Sequence, residues 1–230
     1  MNPIAQNIEQ TMERIKNAAL RAGRDPGGIK LVAVSKGVDV DRINMALEAG
    51  VKCLGENRAQ EFVDKYELVQ GDVEWHFIGH LQKNKVKYVI DKVALIHSLD
   101  RMSLAEELDK RAKAKSLSVD ALVQVNVSGE ESKHGLSVGE VIPFITTVAE
   151  KYPNIRIKGL MTIAPIADDP DKVRPYFREL RMLFQSIGER EIPGVKMEWL
   201  SMGMTDDFEV AVEEGANIVR IGRAVFGPRG

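Results

Sequence analysis

The spacing of apolar residues near the amino terminus predicts an amphipathic helix over residues 3–22. Apolar side chains recur there at steps of three or four residues, which places on one helical face Ile4, Ile8, Met12, Ile15 and Ala19. Asn2 is a suitable helix cap, Pro3 fits the first helical position, and Gly23 is a typical terminator. The pattern therefore indicates a helix with one buried face.

After this helix, short apolar runs alternate with helical patterns along the rest of the chain. Eight runs predict buried strands at 30–35, 51–55, 75–79, 93–97, 119–127, 156–163, 196–201 and 217–221. The clearest helices between them span 173–187, before Gly188, and 104–112, after a cap at Asp100. Strands that alternate with helices in this way pair in parallel.

The number of these units predicts the α/β architecture. Eight strand–helix units in 230 residues match a closed (β/α)8 TIM barrel better than an open doubly wound sheet. Only residues 223–230 follow the eighth strand, so we expect the additional N-terminal helix to supplement the outer ring. Because no Pro-, Gly- or Ser-rich linker divides the chain, we predict one domain over residues 1–230.

The composition excludes several classes of protein. Lysine and arginine total 32 and aspartate and glutamate 34, so the net charge of -2 gives no general attraction to nucleic acid or membrane lipid. No apolar run reaches the ~18 residues that span a bilayer. Cys53 is the single cysteine, which excludes an intrachain disulfide and a cysteine-based zinc cage. We expect a cytoplasmic protein with Cys53 in its core.

Candidate chemistry is expected at the carboxyl ends of the strands, where barrels of this kind place their active sites. Lys36 directly follows the first strand, so its amine is expected to point into or over the barrel mouth. Desolvation there lowers the pKa of a lysine and favours a Schiff base with a carbonyl compound. The alternative is a solvated lysine on a loop.

Small residues after the last two strands indicate a phosphate site. Ser201 and Gly203 let the backbone approach a ligand, and Gly222 supplies the other half of the site that barrels commonly build from loops seven and eight. Thr205, Asp206 and Asp207 form the predicted cap and first turn of the next helix, where two carboxylates would repel a phosphate. We therefore place the phosphate on the turn before that helix and on the segment after the eighth strand.

Other polar positions have competing interpretations. Arg220 lies inside the eighth strand, where it either faces a ligand or forms an ion pair with a barrel acid. His76 and His80 are four residues apart, but the spacing crosses a strand end without a carboxylate pattern, so we predict no metal site. His80 is expected to line the pocket. The loop 128–135 is either a lid or a plain surface loop, and the lysines of segment 83–87 are expected on a solvated helix face.

The strand-end motifs resemble those of the pyridoxal phosphate homeostasis protein family, small relatives of the alanine racemase barrel. The resemblance covers nearly the whole chain. It rests on several segments in order: 31–36 (LVAVSK), 54–61 (LGENRAQE), 75–85 (WHFIGHLQKNK), 125–129 (VNVSG), 159–162 (GLMT), 200–207 (LSMGMTDD) and 219–223 (VRIGR). Together these motifs are highly specific.

The resemblance implies a fold type III barrel that holds pyridoxal 5'-phosphate (PLP) as an internal aldimine with Lys36. The implied cofactor site consists of Lys36, Asn57, His80, Met161, Ser201, Gly203, Arg220 and Gly222. Within it, the small residues after the last two strands would bind the phosphate, and Asn57 would lie at the cofactor's edge. Arg220 would face the pyridine nitrogen. Because a guanidinium keeps its proton, that nitrogen should stay unprotonated and the ring should be a weak electron sink.

The resemblance further implies a role in intracellular PLP homeostasis through storage, buffering or delivery. Racemases of the related barrel use a tyrosine on an additional β-domain as second base, and this sequence ends at Gly230 without one. Racemization needs proton donors on both faces of the substrate carbon, and we place Lys36 alone there, so we expect little or no turnover. The expected partners are PLP and PLP-dependent apo-enzymes, and the expected state is a monomer.

Three alternative functions stay open. A PLP-dependent amino-acid racemase would use Lys36 as its base with water on the other face. A phosphosugar aldolase would keep the phosphate site and use Lys36 as its Schiff-base lysine. An interaction module would need neither Lys36 nor PLP.

Overall fold

Eight parallel strands close into a barrel in chain order, with the last strand paired to the first. In this computed structural model, which describes residues 2–228, the strands are β1 Lys30–Val34, β2 Cys53–Glu56, β3 Glu74–Phe77, β4 Leu95–Leu99, β5 Val119–Gln124, β6 Ile155–Met161, β7 Val195–Ser201 and β8 Ile218–Ile221. The predicted (β/α)8 barrel and its eight strands are confirmed, with some strand ends shifted. The extreme ends of the predicted domain, Met1, Arg229 and Gly230, lie outside the described residues.

The helices form the outer ring of the barrel. They are α1 Pro3–Arg21, α2 Val40–Glu48, α3 Ala59–Tyr66, α4 Met102–Ala114, α5 Val138–Lys151, α6 Arg174–Gly188, α7 Phe208–Glu213 and α8 Arg223–Phe226. Short 3-10 helices lie at Pro26–Gly28, Lys83–Tyr88 and Pro170–Val173. No described helix has the length and apolar character needed to cross a membrane.

The lysines of segment 83–87 lie on a largely solvated helix face as predicted, and that helix is a 3-10 helix. The connection from β3 to β4 contains the 3-10 helix Lys83–Tyr88, of which only Val86 is buried. Apolar anchors at steps of three or four residues stabilise an α-helix by packing. A segment with one such anchor forms a shorter and tighter helix instead.

Helix α1 supplements the outer ring as predicted, because it packs against α2, α7 and α8. Asn2 caps it by accepting a hydrogen bond from the Ile4 amide at 3.0 Å. The assignment of Met12 to its buried face is wrong, since Met12 is 43% exposed and Thr11 is buried in its place. The apolar stripe drifts around the helix, so the contact face passes through position 11 at mid-helix.

Two predicted helix starts also need correction. Asp100 does not cap α4: Arg101 occupies the cap position without a side-chain bond, and the Asp100 carboxylate pairs with Arg101 instead. Helix α7 begins at Phe208, so Asp207 is its cap residue and Asp206 precedes the helix. The local sequence pattern assigns Asp100 and Asp206 to helix starts, but their carboxylates pair with Arg101 and Arg223 instead.

The core has two layers. A small apolar cluster fills part of the barrel interior and consists of Val32, Cys53, Leu95, Leu122, Met161 and Ile218. A larger cluster lies between strands and helices and includes the fully buried rings of Phe62, Phe77, Phe177 and Phe208. Along β1, Val32 faces the interior and Ala33 faces the helices, as the two-residue period of a strand requires. Cys53 belongs to the core as predicted.

We expect Gly159→Ala to destabilise the barrel strongly. Gly159 in β6 has a φ of 148°, and a Cβ atom there would lie 1.8 Å from the carbonyl oxygen of Trp199 on β7. The substitution strains the backbone and separates two paired strands, so the free energy of unfolding should fall by about 3 kcal/mol or more. Urea denaturation followed by circular dichroism measures this loss.

The matched control is Gly139→Ala in the first turn of α5. No atom lies within 4 Å of the added Cβ at this exposed position. Alanine there should raise stability by about 0.4–1 kcal/mol, because it restricts the unfolded chain. Equal stability of Gly159→Ala and the parent protein would contradict the close approach of β6 and β7.

Candidate functional site

The turn that carries Lys36 leaves β1 at the carboxyl end of the barrel. Lys36 is half-buried between the buried Ser35 and the exposed Gly37. The carbonyl of Ser35 accepts a hydrogen bond from Lys65 Nζ at 2.6 Å, and the amide of Gly37 donates to a carboxylate oxygen of Glu61. The backbone is therefore held on both sides of Lys36.

A partly buried ionic cluster, which we call the clamp, makes these contacts and consists of Glu56, Glu61 and Lys65. Lys65 Nζ lies 2.8 Å from Glu56 Oε1 and 2.7 Å from Glu61 Oε1. Glu56 Oε1 also accepts from the Ser35 hydroxyl at 2.7 Å. Burial raises the pKa of Glu56, while its bonds to Lys65 and Ser35 oppose that rise. The three N–H donors of the Lys65 ammonium therefore bind the Ser35 carbonyl and the carboxylates of Glu56 and Glu61. These bonds orient the turn that carries Lys36.

The clamp was missed from sequence, although two signals point toward it. Glu56 ends an apolar strand at the expected catalytic edge, and Glu61 and Lys65 are four residues apart on one helix. Such helical pairs are usually solvated and weak. The tertiary structure brings these residues together, because β2 and α3 place them next to the end of β1.

Arg220 lies inside the barrel and is 4% exposed. Its Nη1 donates to Ser201 Oγ at 2.6 Å, and its Nη2 donates to the carbonyl of Thr162 at 2.8 Å. The alternative of an ion pair with a barrel acid is wrong, since these direct partners are neutral oxygen atoms. Burial lowers the pKa of Arg220 to about 10, and attraction by the Asp207 carboxylate opposes this. The guanidinium therefore stays charged at neutral pH.

The glycines predicted for the phosphate site lie in the loops after β7 and β8. Gly203 has a φ of 94°, and its carbonyl accepts the Arg220 amide at 3.0 Å. Gly222 precedes α8, and a Cβ there would lie 3.4 Å from the carbonyl oxygen of Val34. The loop after β8 therefore lies against the end of β1, just before the Lys36 turn.

The charges of Asp206 and Asp207 are less repulsive than the sequence suggests. Asp206 pairs with Arg223 at the start of α8. Burial raises the pKa of Asp207, while a bond from the Met204 amide and the attraction of Arg220 act against that rise. Each carboxylate thus has nearby positive charge or donors, which reduces the negative potential at this end of the barrel.

A chain of hydrogen bonds, which we call the buried relay, runs from Arg220 through the barrel interior to its amino-terminal end. Ser201 Oγ lies 3.0 Å from His97 Nδ1, and His97 Nε2 lies 2.9 Å from His76 Nδ1. His76 Nε2 lies 2.8 Å from Glu74 Oε1. The relay therefore connects Arg220, Ser201, His97, His76 and Glu74.

Glu74 sets the direction of every donor in the relay. Hydrogen bonds from His76 and Lys30 lower the pKa of Glu74 to about 2, so its carboxylate only accepts. His76 must then donate from Nε2 and accept at Nδ1, and His97 must do the same. The Ser201 hydroxyl consequently donates to His97 and accepts from Arg220. It is committed to the barrel interior, so Ser201 would meet a phosphate through its backbone.

Burial keeps both relay histidines neutral. His76 is 1% exposed and His97 is fully buried, and desolvation lowers the pKa of each. The positive charge of Arg220 lowers the pKa of His97 further. Two neutral imidazoles thus separate the guanidinium from the carboxylate.

The remaining predicted residues occupy the rim and the interior. Asn57 and His80 line one cavity of about 290 Å³ after β2 and β3. Asn57 Oδ1 is buried and has no hydrogen-bond partner among residues 2–228. Met161 ends β6 and is fully buried in the interior cluster. His76 and His80 do not share a site, because His76 faces the interior and His80 is on the rim.

We expect Glu74→Gln to lower stability at neutral pH by about 1 kcal/mol, a modest loss because Glu74 is partly exposed. The lowered pKa of Glu74 means that its stabilisation is complete above the unfolded value near 4.3 and is lost as the pH falls toward about 2. The stability difference between parent and variant should therefore shrink between pH 5 and pH 2. Urea denaturation across this range measures it, with Glu9→Gln on the exposed face of α1 as control.

The same variant tests the direction of the relay. In the parent protein, ¹⁵N imidazole spectra should show His76 and His97 as neutral Nε2–H tautomers, and Glu74→Gln should broaden or mix these states. Nδ1–H tautomers in the parent protein would contradict the assigned direction.

Comparison with known proteins gives a consistent result over the length of the chain. The family model described as "Alanine racemase, N-terminal domain" matches residues 4–230. A pyridoxal phosphate homeostasis protein of Aquifex aeolicus (strain VF5) is 48% identical over 225 residues, covering 97% of this chain and 97% of that protein. One of Escherichia coli (strain K12) is 39% identical over 235 residues, covering 100% and 98%.

Solved structures agree with these sequence relations. PipY of Synechococcus elongatus PCC7942, described with PLP bound, has a TM-score of 0.83 at 30% identity and covers 97% of this chain and 100% of that chain. Alanine racemase from Corynebacterium glutamicum has a TM-score of 0.69 at 16% identity and covers 98% of this chain and 61% of its own, a likeness of fold alone. By its motifs, its barrel and its full-length relatives, the chain belongs to the pyridoxal phosphate homeostasis protein family, within the alanine racemase N-terminal domain fold.

Proposed function

We propose that this protein binds pyridoxal 5'-phosphate at the carboxyl end of the barrel, with Lys36 Nζ covalently attached to it. The observation that carries the proposal is the clamp, which holds the backbone on both sides of Lys36 through Ser35 and Gly37. PLP supplies an aldehyde that an amine attacks with loss of water, and a ring that withdraws electrons. A fixed backbone at Lys36 restricts the positions that its amine can reach at the mouth.

The polar groups at the mouth suit the remaining parts of the cofactor. The loops that contain Gly203 and Gly222 follow β7 and β8 at the carboxyl end of the barrel, where barrels of this kind commonly bind a phosphate. Asn57 presents a buried amide atom that has no partner in the described chain, which suits a ring substituent. Arg220 makes its described bonds to Ser201 and Thr162, and a guanidinium has five N–H groups, so donors remain for a ring nitrogen.

We further propose that the protein holds and supplies the cofactor with little or no turnover. Arg220 stays charged, and a guanidinium opposite the ring nitrogen does not protonate it, which disfavours carbanion chemistry. His76 and His97 are committed to the buried relay, where both nitrogens of each ring are hydrogen-bonded. Relatives that match the full length of the chain carry the name of a PLP homeostasis protein, which supports the same role.

We also propose a domain organisation, an oligomeric state, a compartment and partners that are consistent with this role. We expect one domain that acts as a monomer in the cytoplasm, with PLP as its ligand and PLP-dependent apo-enzymes as recipients. The buried state of Cys53, the single cysteine, suits a reducing compartment. His80 and Met161 stay predicted cofactor contacts, one on the rim and one in the interior.

We expect Lys36→Ala to abolish covalent attachment of PLP while the fold is retained. The parent protein with added PLP should show a visible absorption band that borohydride bleaches, with the reduced adduct on Lys36 by peptide mass spectrometry. After unbound PLP is removed by gel filtration, the variant should show neither the bound band nor the adduct. Its fold should be retained, since a mouth lysine contributes little to packing. Lys172→Ala, on an exposed 3-10 helix, is the matched control and should behave like the parent.

The outcomes distinguish the alternatives. Uptake of PLP on another lysine at parental level in Lys36→Ala would overturn the assignment of Lys36. Borohydride trapping that requires a sugar phosphate, with no uptake of PLP, would favour the aldolase. Absence of uptake of either compound would favour an interaction module.

A second measurement tests the absence of turnover. With PLP loaded, the protein should exchange the α-hydrogen of L- and D-amino acids with D2O no faster than free PLP does, as followed by proton NMR. The expectation rests on Arg220 and on the commitment of both buried histidines. Many turnovers of exchange that depend on Lys36 would instead establish the racemase.

A further inference from the structure

Three side chains that are distant in sequence meet on the rim of the barrel, and we call them the rim triad: His80, Asp100 and His134. They follow β3, β4 and β5, and one potential ligand atom of each lies within 4.8 Å of the others. The rings of His80 and His134 are stacked with centroids 4.2 Å apart. Both histidines are exposed, so a solvated ion has access to the cluster.

The spacing within the rim triad suits a metal ion better than a direct hydrogen bond. His80 Nδ1 and Asp100 Oδ2 are 3.6 Å apart, which is beyond a good N–H···O bond. Two ligands with bonds of about 2.0–2.1 Å at a tetrahedral angle are about 3.3 Å apart. Imidazole nitrogen and carboxylate oxygen are ligands that zinc and similar divalent metals accept.

Neighbouring groups orient the rim triad in the way that outer contacts orient metal ligands. Arg101 Nη1 binds Asp100 Oδ1, which leaves Oδ2 directed at His80. Arg101 Nη2 also donates to the carbonyl of Leu81 at 2.5 Å, next to His80 in the chain. The side chain of Asp100 is only 7% exposed, so its position is constrained.

The loop that carries His134 is pinned at its base. The amide of Asn126 donates to the carbonyl of Leu136 at 2.8 Å, and the amide of Leu136 donates to the carbonyl of Gln124 at 2.9 Å. The side chain of Gln124 donates to the carbonyl of His134 at 3.2 Å. Both ends of the loop 128–135 are therefore hydrogen-bonded to the segment that ends β5, and these bonds fix the backbone at His134.

A second cluster in the interior offers a contrast. Cys53, Glu74 and His76 also place one atom each within 4.8 Å of one another. Both nitrogens of His76 are already hydrogen-bonded, and Lys30 contacts both oxygens of Glu74 at 2.7 and 2.8 Å. An ammonium therefore occupies the position that a cation would need. In the rim triad, Arg101 contacts Oδ1 of Asp100, Oδ2 faces His80, and both histidines are exposed.

We propose that the rim triad binds a divalent metal ion of the zinc class, with His80, Asp100 and His134 as its protein ligands. Three ligands leave a fourth position for water or for the carboxylate of a small molecule. The ion would tie the loop 128–135 to the ends of β3 and β4. It would lie beside the cavity that Asn57 and His80 share, and it requires no PLP.

Cobalt titration of the untagged, PLP-free protein tests this proposal, with Co²⁺ bands in the visible spectrum as the readout and displacement by Zn²⁺ as the second step. The parent protein should bind one equivalent. His80→Gln and His134→Gln should each weaken binding by about tenfold or more, and Asp100→Asn should weaken it as well. The two histidine variants change exposed side chains, so circular dichroism should show the parental fold.

Two controls separate this site from the others. Cys53→Ala should bind Co²⁺ like the parent, and loss of binding there with retention in His134→Gln would assign the metal to the interior cluster and overturn the proposal. Lys36→Ala should also bind Co²⁺ like the parent, so a failure of the cofactor proposal leaves this test intact. Parental affinity in both histidine variants, or no binding of Co²⁺ and Zn²⁺ by the parent, would likewise overturn it.

Discussion

A positive charge enclosed in a closed barrel is the constraint on which much of this structure depends. Moving an ion out of water costs several kcal/mol, even in a relaxed protein, unless polar groups surround it. Arg220 meets this requirement with Ser201 and the carbonyl of Thr162, and Ser201 must then find a partner of its own. Two neutral histidines extend the chain to Glu74, whose carboxylate is paired with Lys30 at the partly exposed end of the barrel. The carboxylate that attracts Arg220 is that of Asp207.

The interior is therefore organised by donors and acceptors as much as by apolar packing. The apolar interior cluster contributes non-directional burial, whereas the buried relay admits one arrangement of protons. That arrangement directs the Ser201 hydroxyl away from any ligand at the mouth. Positioning at the mouth instead comes from backbone elements, namely the clamped turn at Lys36 and the glycine loops at Gly203 and Gly222.

Most of the fold and part of the site are readable from local sequence. Lys36 and Gly222 were predicted as site residues because strand ends converge at one face of a barrel, whereas Asn57 was implied by the family resemblance. Asp100 and Asp206 were misassigned to helix starts, since a carboxylate near a helix start can cap the helix or pair with a nearby arginine, as both do here. The clamp was missed because a Glu61–Lys65 pair on an isolated helix looks like an ordinary surface pair.

The sequence by itself determined the order of strands and helices, the closure into a barrel and the edge at which chemistry is expected. These features follow from the periodicity of apolar residues. This periodicity is a local property of a few neighbouring positions and does not depend on how the side chains pack. Only the tertiary structure decided which polar groups meet: His80 with His134 rather than His76, Lys65 with Ser35, and Arg220 with Ser201. Those contacts join different strand ends, and their distances depend on barrel register and side-chain direction, which no local pattern encodes.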